Sequence, residues 1–419
     1  MTQPRTIRTL RRAGSGVVRA LHPAVLARIG GDWLGIRKPP RSTDEHLHAT
    51  MGWLLVAHDK GGRRGVSAGY SIVDGWLPPY PETTGYIIPT FLDYAAQEGR
   101  DDLRARALDM AVWEIEVQLP SGAVRSGVLD GSPKSQAPAV FNTGQVILGW
   151  CRAYRESRED AFLRAAVRAG DWLAGVQQAD GAWRVGSGET TTVAHAYDAR
   201  TAWSLLELRE LTGNDRYRSA ALRQLDWVLS QQRANGWFAS NTFFGPGHRW
   251  QHPFTHNIAY VLEGLIGGWE HHADDRYIEA VERTLASLRS HIAEDGFLGG
   301  HFDDSWSSSA NYSCLSGDAQ LAGVLFRMSA LTGSNEYLAD AHLLSDYVKS
   351  TQKLAARHAG LRGGVKGSHP INGLYSPFVY VNWAAKFFAD CLMLERRVRA
   401  GRQRPAVPRG RDASGALRA

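Results

Sequence analysis

Cysteine is scarce in this chain of 419 residues, and long apolar runs are missing. The three cysteines, Cys151, Cys314 and Cys391, are far apart and lack metal-type spacing, which argues against a disulfide framework and fits a reducing compartment. Nothing approaches about 18 consecutive apolar residues, so we expect no transmembrane helix. Walker and dinucleotide glycine patterns in a strand–helix setting are also missing, so nucleotide binding is not supported.

Acidic residues are nearly missing from both ends of the chain. Residues 1–31 hold six Arg and no acid, and residues 396–419 hold eight Arg and one Asp. Without these ends, residues 32–395 hold 34 basic and 41 acidic residues and carry a net charge of −7. The basic pI therefore gives no support for a nucleic-acid partner of the folded body.

The basic ends themselves have two interpretations. We predict a basic N-terminal arm over residues 1–43 and an Arg-rich, disordered tail over 396–419, with weak contact to a membrane surface as the alternative. Arg19, His22 and Arg28 interrupt the apolar run that a signal peptide needs. We therefore expect a cytoplasmic protein, peripheral to the inner face of the membrane if the ends bind lipid.

The chain does have internal repetition. The segment 211–217 returns at 271–277 and 331–337, so that the closing tyrosines, Tyr217 and Tyr277, are 60 residues apart. A second repeated feature is a glycine-centred turn, found at Gly122, Gly181, Gly236 and Gly296. Each repeat therefore reads as a helix, a short turn, a second helix and a longer loop.

The apolar periodicity predicts six inner and six outer helices. Inner helices are apolar nearly all round, which indicates burial, whereas outer helices are amphipathic. The inner helices are expected at about 86–97, 142–155, 198–212, 256–271, 317–332 and 377–395, and the outer ones at about 44–58, 101–118, 160–178, 215–232, 274–292 and 335–353. Pairing of the first helix with the last closes six hairpins into one all-α (α/α)6 toroid over residues 44–395.

This pattern resembles the six-hairpin, or (α/α)6-barrel, superfamily of carbohydrate-active enzymes, which includes unsaturated glucuronyl hydrolases, polysaccharide lyases and sugar epimerases. Segments 140–149, 253–260, 312–320 and 363–370 resemble uncharacterised proteins encoded with bacterial surface-polysaccharide genes. The His-Asp-Leu/Ile-Gly type motif of the glucuronyl hydrolases does not occur here, so their catalytic residues do not carry over. Prenyltransferases and terpene cyclases share a similar toroid, but their metal-ligand and Asp-rich motifs are not apparent.

Two carboxylates are the first candidates for chemistry. Long loops precede the inner helices, so the N-termini of these helices should line one funnel. Asp198 and Asp318 occupy equivalent positions in the third and fifth repeats. Such a pair could act as acid and base in glycoside cleavage. The alternative is that each aspartate only caps its helix.

A different chemistry is indicated by His195, Tyr197 and His256, which lie at two of the same helix entrances. Uronate lyases and C5-epimerases need a base near neutral pKa to remove the C5 proton, and an imidazole or a phenol can supply it. The alternative is that these residues only complete the start of a helix.

A metal site is not expected, although His248, His252 and His256 are spaced by four. Pro253 makes a continuous helix through all three unfavourable, and the stretch holds no acid. We therefore predict no metal and no cofactor.

Aromatic and polar residues at the helix entrances are candidates for binding sugar hydroxyls, carboxylates and the apolar faces of sugar rings. The predicted substrate-binding residues are Asn142, Gln145, Trp183, Arg200, Arg249, Trp250, Asn257, Tyr260, Asp303, Trp306, Tyr312, Gln320, Lys366, Tyr380 and Asn382. For the loop tryptophans, packing onto the rim of the toroid is the alternative.

Three hypotheses for function follow. The first is a hydrolase-like enzyme with carboxylate acid and base, acting on a bacterial surface or secreted polysaccharide or its precursor. The second is a uronate lyase or C5-epimerase with a histidine or tyrosine base. The third is a non-catalytic toroid that binds glycan within a polysaccharide synthesis complex, because the fold alone does not choose among functions.

Overall fold

The computed structural model describes residues 26, 30–132, 136–184, 193–243 and 251–401. Within these ranges, twelve long helices alternate between an inner and an outer layer. The inner helices are α2 (Pro81–Glu98), α4 (Val140–Ser157), α6 (Ala199–Thr212), α8 (Thr255–His272), α10 (Leu315–Thr332) and α12 (Asn382–Arg399). The outer helices are α1 (Thr43–Lys60), α3 (Asp101–Val117), α5 (Asp160–Val176), α7 (Asp215–Ser230), α9 (Asp275–Leu288) and α11 (Asn335–Thr351).

The six inner helices form a closed ring. Each packs against the next in chain order, α12 returns to α2, and α1 packs against α12. The predicted all-α toroid, closed by its first and last helices, is therefore confirmed. The last inner helix differs from the expectation: it begins at Asn382 rather than 377, because Val379–Val381 pair with Gly69–Ser71 as strands. It also runs on to Arg399, and Arg396 binds Asp44 and Glu98.

Inner helices are buried on nearly every side because small residues let them approach closely. A Cβ atom on Gly85 would lie 2.6 Å from the side chain of Val146, and one on Gly144 would lie 2.8 Å from the Cα atom of Thr201. These contacts join α2 to α4 and α4 to α6. A larger side chain at either glycine would push neighbouring inner helices apart, since packed interiors leave no spare volume.

The repeated sequence segments form helix caps and hydrogen bonds between consecutive repeats. Asn214 accepts a hydrogen bond from the amide of Arg216, which satisfies an amide at the start of α7. Gly181 has a φ of 89°, and a Cβ atom there would lie 2.5 Å from the carbonyl oxygen of Arg223. Beside it, Gln177 donates to both Gly181 and Ala220, at 2.7 Å each, and so ties one repeat to the next.

A glutamine in the equivalent position joins the last outer helix to the first. Gln352, directly after α11, donates to Thr50 of α1 at 2.8 Å and to the carbonyl of Gly363 at 2.6 Å. His46 of α1 meets its side-chain oxygen at 2.6 Å. The ends of the toroid are therefore joined by hydrogen bonds of the kind that join its internal repeats.

Short strands occur in the long loops that precede inner helices. Strands β1 (Gly69–Ser71), β2 (Gly75–Trp76) and β5 (Val379–Val381) form one antiparallel sheet, and β3 (Ser313–Cys314) pairs with β4 (Ser368–His369). Each sheet joins loops from different repeats. They fix the loops beside the N-terminal ends of the inner helices, where the candidate site lies.

Part of the predicted N-terminal arm lies on this loop-bearing side. Asp32 forms a buried ion pair with Lys366 at 2.7 Å, and Arg37 pairs with Asp295 at 2.5 Å. The Arg37 guanidinium also lies over the ring of Tyr347 at the end of α11. Among the described residues, no helix is both long and apolar enough to cross a membrane.

Candidate active site

The N-terminal ends of the inner helices surround a group of aromatic rings. Ring centroids of Phe141 and Tyr260 are 4.7 Å apart, those of His256 and Tyr260 are 4.2 Å apart, and those of Phe141 and Tyr197 are 5.2 Å apart. We call this group the aromatic cluster, which consists of Phe141, Tyr197, Phe243, Phe254, His256, Tyr260 and Tyr375. Rings of this kind offer apolar faces to the C–H side of a sugar.

Glu82, in the first turn of α2, is the carboxylate beside this cluster. The Tyr80 hydroxyl donates to its Oε2 atom, and the Glu82 charge acts on Tyr86, Tyr197 and Tyr260. Removal from water raises the pKa of Glu82 to about 7, although the Tyr80 hydrogen bond and the Arg200 charge oppose the rise. The residue keeps partial solvent exposure. It can therefore hold or release a proton near neutral pH.

Sequence reasoning gave Glu82 no role. A signal was present: an acid in the first turn of an inner helix, preceded by Pro81 at the helix start. The same signal singled out Asp318, so position alone does not separate the two. What distinguishes Glu82 is its set of tyrosine neighbours, which come from three different inner-helix entrances.

Asp198 lies just after Tyr197 and is 1% exposed. It makes no capping hydrogen bond at the start of α6. Its Oδ1 atom accepts from the Thr201 hydroxyl at 3.1 Å, and burial raises its pKa to about 8. The charge of Asp198 acts on Tyr197, as that of Glu82 does, so both carboxylates face the same phenol.

Asp318 lies elsewhere. It is fully buried, accepts a hydrogen bond from the Ser313 hydroxyl, and its Oδ1 atom has no partner among the described residues. Its charge acts on Cys314 and on Tyr347 of the outer helix α11. Burial raises its pKa well above the ordinary value. Asp198 acts instead on Tyr197, so the two aspartates have different neighbours.

His256 is held by a chain of side chains. Its Nδ1 atom meets Oε1 of Gln320, whose amide nitrogen donates to Glu263 at 3.1 Å, and Glu263 pairs with Arg200. Because the Glu263 bond orients the amide, its oxygen faces the histidine, so Nδ1 carries the proton and Nε2 is the basic nitrogen. Burial lowers the pKa of His256 to about 3, which keeps the ring neutral.

Arg200 is a buried cation that contacts the aromatic cluster. Its Nε atom donates to Oε1 of Gln145 at 2.5 Å, and its guanidinium lies 5.6 Å from the ring of Tyr260 and 5.4 Å from that of Phe387. It is 4% exposed. Arg200, Glu263, Gln145 and Gln320, which we call the polar layer, come from four neighbouring inner helices, α4, α6, α8 and α10.

Two further predicted residues adjoin the cluster. His195 stacks on Tyr197 with centroids 4.6 Å apart, and burial lowers its pKa to about 4. Asn142 donates to the carbonyl of Arg125 at 2.8 Å and also hydrogen-bonds Tyr80. His195 thus supports the ring of Tyr197, and Asn142 supports the partner of Glu82.

The two described tryptophans predicted to stack on sugars are packing residues, so that prediction is corrected. Trp183 is 1% exposed, and its indole nitrogen donates to the carbonyl of Leu173 at 2.9 Å. Trp306 is 4% exposed and donates to Asn235 at 2.9 Å. Each ring packs between a helix and a loop, in agreement with the alternative interpretation that these tryptophans pack onto the rim of the toroid.

Three predicted binding residues in the last repeat are also structural. The ammonium group of Lys366 forms an ion pair with Asp32, so its charge is already compensated and does not serve a substrate carboxylate. Asn382 donates to the carbonyl of Ser67 and to the Thr83 hydroxyl, which fixes the start of α12. Tyr380 is 1% exposed within the core.

The remaining predicted positions have local roles or lie outside the described residues. Asn257 accepts from the amide of Phe254 at the start of α8. The Tyr312 hydroxyl meets Nδ1 of His301 at 2.9 Å, and Asp303 accepts from Ser305 and Ser307 within its own turn. Arg249, Trp250 and His248 lie outside the described residues.

A cavity of about 310 Å³ runs from Tyr86, Arg200 and Lys386, in the N-terminal halves of their inner helices, to Arg155 and Arg397 in the C-terminal halves. Arg152 pairs there with Asp93 at 3.2 Å, and Lys386 pairs with Asp390 at 2.6 Å. Arg200 and Trp203 also line this cavity.

His271, at the C-terminal end of α8, is enclosed by two glutamates. Its Nδ1 and Nε2 atoms lie 2.8 Å from Glu210 and 3.2 Å from Glu207. Hydrogen bonds to these carboxylates outweigh the effect of burial and raise the pKa of His271 to about 9. Both ring nitrogens are protonated in this arrangement, and Arg155 also binds both glutamates, so the group does not suit a metal ion.

No known family model and no curated protein sequence matches this chain. Solved structures do match its fold. An unsaturated glucuronyl hydrolase from a Bacillus species has 16% identity and a TM-score of 0.67, and covers 88% of this chain and 100% of its own. The corresponding enzyme from Streptococcus agalactiae has 13% identity and a TM-score of 0.62, with coverages of 87% and 94%.

A third similar structure is the cellobiose 2-epimerase of Bacillus thermoamylovorans. It has 10% identity and a TM-score of 0.68, and covers 84% of this chain and 97% of its own. These likenesses confirm the (α/α)6 toroid as the fold of this chain. They include enzymes of more than one reaction type, so the fold does not select a reaction.

Proposed function

We propose that this protein is a carbohydrate-active enzyme that cleaves a glycosidic bond beside the aromatic cluster. The observation that carries the proposal is Glu82, a partly exposed carboxylic acid with a pKa of about 7 beside aromatic rings. A proton donor to a leaving glycosidic oxygen works best when its pKa lies near the working pH.

In this proposal Glu82 donates the proton. Asp198, whose pKa of about 8 keeps it largely protonated at neutral pH, is a second carboxyl group that would hydrogen-bond the sugar rather than act as the base. Both act on Tyr197, and α2 and α6 are each adjacent to α4, which lies between them. Tyr80 orients the Glu82 carboxyl group, and Asn142 holds Tyr80. Phe243, the exposed ring of the aromatic cluster, would contact the apolar face of the sugar. Asp318, whose contacts are with β3 and α11, is left out of the reaction.

The substrate class is an oligosaccharide derived from a bacterial surface or secreted polysaccharide, or its precursor. Support comes from the sequence segments that resemble proteins encoded with surface-polysaccharide genes, and from the sugar-acting enzymes among the structural neighbours. Arg200 is engaged with Glu263, so recognition of an acidic sugar would depend on polar groups at the mouth rather than on a free arginine.

The test is a product analysis of the purified full chain with a panel of neutral and uronate-containing oligosaccharides. Hydrolysis releases a reducing end, a lyase forms an unsaturated uronate that absorbs ultraviolet light, and an epimerase exchanges a ring proton for solvent deuterium. New reducing ends that disappear in Glu82→Gln support the proposal. Tight binding without any turnover across the panel contradicts it and leaves a glycan-binding toroid.

A second candidate is an epimerase or lyase in which His256 is the base. The observation in its favour is the chain from Arg200 through Glu263 and Gln320, which keeps Nδ1 protonated and leaves Nε2 as the proton acceptor. Because burial lowers the pKa of His256 to about 3, this candidate also requires that a bound substrate raise that pKa. Tyr260, whose ring lies 4.2 Å from that of His256, would stand beside the transferred proton. Solvent deuterium in the recovered sugar, lost in His256→Gln and retained in Glu82→Gln, would favour this candidate over hydrolysis.

A further inference from the structure

An apolar patch lies on the outside of the toroid, on the segment that precedes α1. Trp33, Leu34 and Ile36 are 68%, 78% and 65% exposed, and Leu374 is 45% exposed. These four are among seven large apolar side chains that are exposed in the described part of the chain. The Trp33 indole nitrogen donates to Asn372 at 2.9 Å, which brings the segment beside the loop that carries Leu374. We call these four residues the apolar patch.

The patch is held in place by buried contacts. Asp32, directly before it, pairs with Lys366 at 2.7 Å and accepts from the amide of Ile371 at 3.1 Å. Both Asp32 and Lys366 are buried, so separating them would leave uncompensated charges. Trp33, Leu34 and Ile36 are therefore presented to solvent by a backbone that is fixed to the toroid.

Positive charge accompanies the patch. Lys38 is exposed two residues after Ile36, and residues 1–31 contribute six Arg and no acid to the same end of the chain. An apolar surface that includes Trp and adjoins a basic segment is complementary to an anionic lipid surface, where the rings enter the headgroup region and the cations meet lipid phosphates.

We propose that the apolar patch docks this protein peripherally on an anionic membrane surface. Loop 370–375 joins the patch to the site, because Leu374 belongs to the patch and Tyr375 to the aromatic cluster. Docking therefore turns the N-terminal end of the barrel toward the headgroups. In a step that rests on the proposed function, the substrate would be a saccharide presented at the membrane, such as a lipid-linked precursor.

The test is co-sedimentation of the full chain with vesicles of phosphatidylglycerol and phosphatidylcholine, compared with pure phosphatidylcholine. We expect binding to the anionic vesicles that weakens with added salt, and on the order of a tenfold weaker binding for the variant Trp33→Ser/Leu34→Ser/Ile36→Ser. The matched control is Val112→Ser, which removes an exposed apolar side chain from α3 on the outside of the toroid. Unchanged sedimentation of the triple variant overturns the proposal.

A second measurement does not depend on vesicle recovery. The three native cysteines are buried, so Leu34→Cys places one accessible thiol in the patch for a polarity-sensitive fluorophore. Its emission should shift to the blue with anionic vesicles, whereas the label on Val112→Cys should not respond. No shift at position 34 means that the patch meets a protein partner or solvent instead, and contradicts the proposal whatever the enzyme assay shows.

Discussion

The two ends of the inner barrel solve the problem of buried polar groups in opposite ways. At the N-terminal end, Glu82 and Asp198 have raised pKa values and His256 a lowered one, so each favours its neutral form. At the C-terminal end, Arg155 and His271 stay charged and are paired with two glutamates. Groups that must gain and lose protons suit the first environment, whereas paired charges suit the second, which anchors helices.

The cause of the difference lies in what surrounds each group. Aromatic rings around Glu82 take away water and supply few hydrogen bonds, which disfavours the charged form. The carboxylates of Glu207 and Glu210 instead supply opposite charge on both sides of His271, and this outweighs desolvation.

The largest effect on activity is expected for Glu82→Gln, at the N-terminal end of the barrel. The amide keeps the shape and a hydrogen bond to Tyr80 but cannot donate the proton, so we expect the rate of glycoside cleavage to fall by about 100-fold or more. The assay is the initial rate of reducing-end release with the best substrate of the panel. Glu279→Gln, on the exposed side of α9, is the matched control and should retain full rate. Equal rates for both variants would remove Glu82 from the reaction.

The pH profile offers a separate check on the same residue. The acid form of Glu82 is present below a pKa of about 7, so the cleavage rate should fall as pH rises through that value. The stability should move in the same direction. Because burial raises this pKa above 4.5, the folded state binds the proton more tightly, and stability is lost as pH rises from about 4.5 to about 7.

The substitution Arg200→Met should destabilise the polar layer. It leaves Glu263 without its cation in a nearly buried position, so we expect a loss of about 3–5 kcal/mol in the free energy of unfolding. Chemical denaturation followed by circular dichroism measures this loss. Arg164→Met, at an exposed position on α5, is the control and should change stability little. A stable Arg200→Met protein would mean that Glu263 does not depend on Arg200 for charge compensation.

The charged end can be tested through His271. Its pKa is raised from 6.5 to about 9, so the stabilisation is fully present below 6.5 and is lost as pH rises through about 9. We expect wild type to lose on the order of 3 kcal/mol across this window, and His271→Gln to lose much less. Denaturation midpoints at several pH values measure the difference. His48→Gln, at an exposed site on α1, should behave as wild type.

The smallest effect is expected for Asp318→Asn. Its carboxyl is buried, its pKa is raised well above the ordinary value, and the Ser313 hydroxyl donates to it, so the amide is a close replacement for the neutral acid. The cleavage rate should change by less than about tenfold, well below the effect of losing a general acid. A loss as large as that of Glu82→Gln would return Asp318 to the reaction, as the sequence first indicated.

Much of the fold could be predicted because it depends on local signals that repeat. Caps such as Asn214, turns such as Gly181, and apolar periodicity each specify a helix or its end from a few adjacent residues. The site could be predicted only in part. Asp198, His256 and Arg200 were expected at helix entrances, yet Glu82 was given no role, and Trp183 and Lys366 were assigned to substrate although the fold uses them internally.

The reason is that residues of the same type at the starts of different inner helices differ only in their tertiary contacts. Asp318 and Glu82 are both acids in the first turns of inner helices, but Asp318 meets a serine and the outer layer while Glu82 meets tyrosines from other repeats. Those neighbours are distant in the chain, so no local pattern records them.

The sequence by itself determined the toroid: twelve helices, their hairpin pairing and the side on which long loops gather, because these follow from short-range periodicity and turn chemistry. Only the tertiary structure decided which polar groups are neutral and which are charged. That depends on burial and on partners contributed by other repeats, such as Tyr260 beside His256 and Glu207 beside His271. The same holds for the apolar patch, whose exposure depends on the ion pair between Asp32 and Lys366.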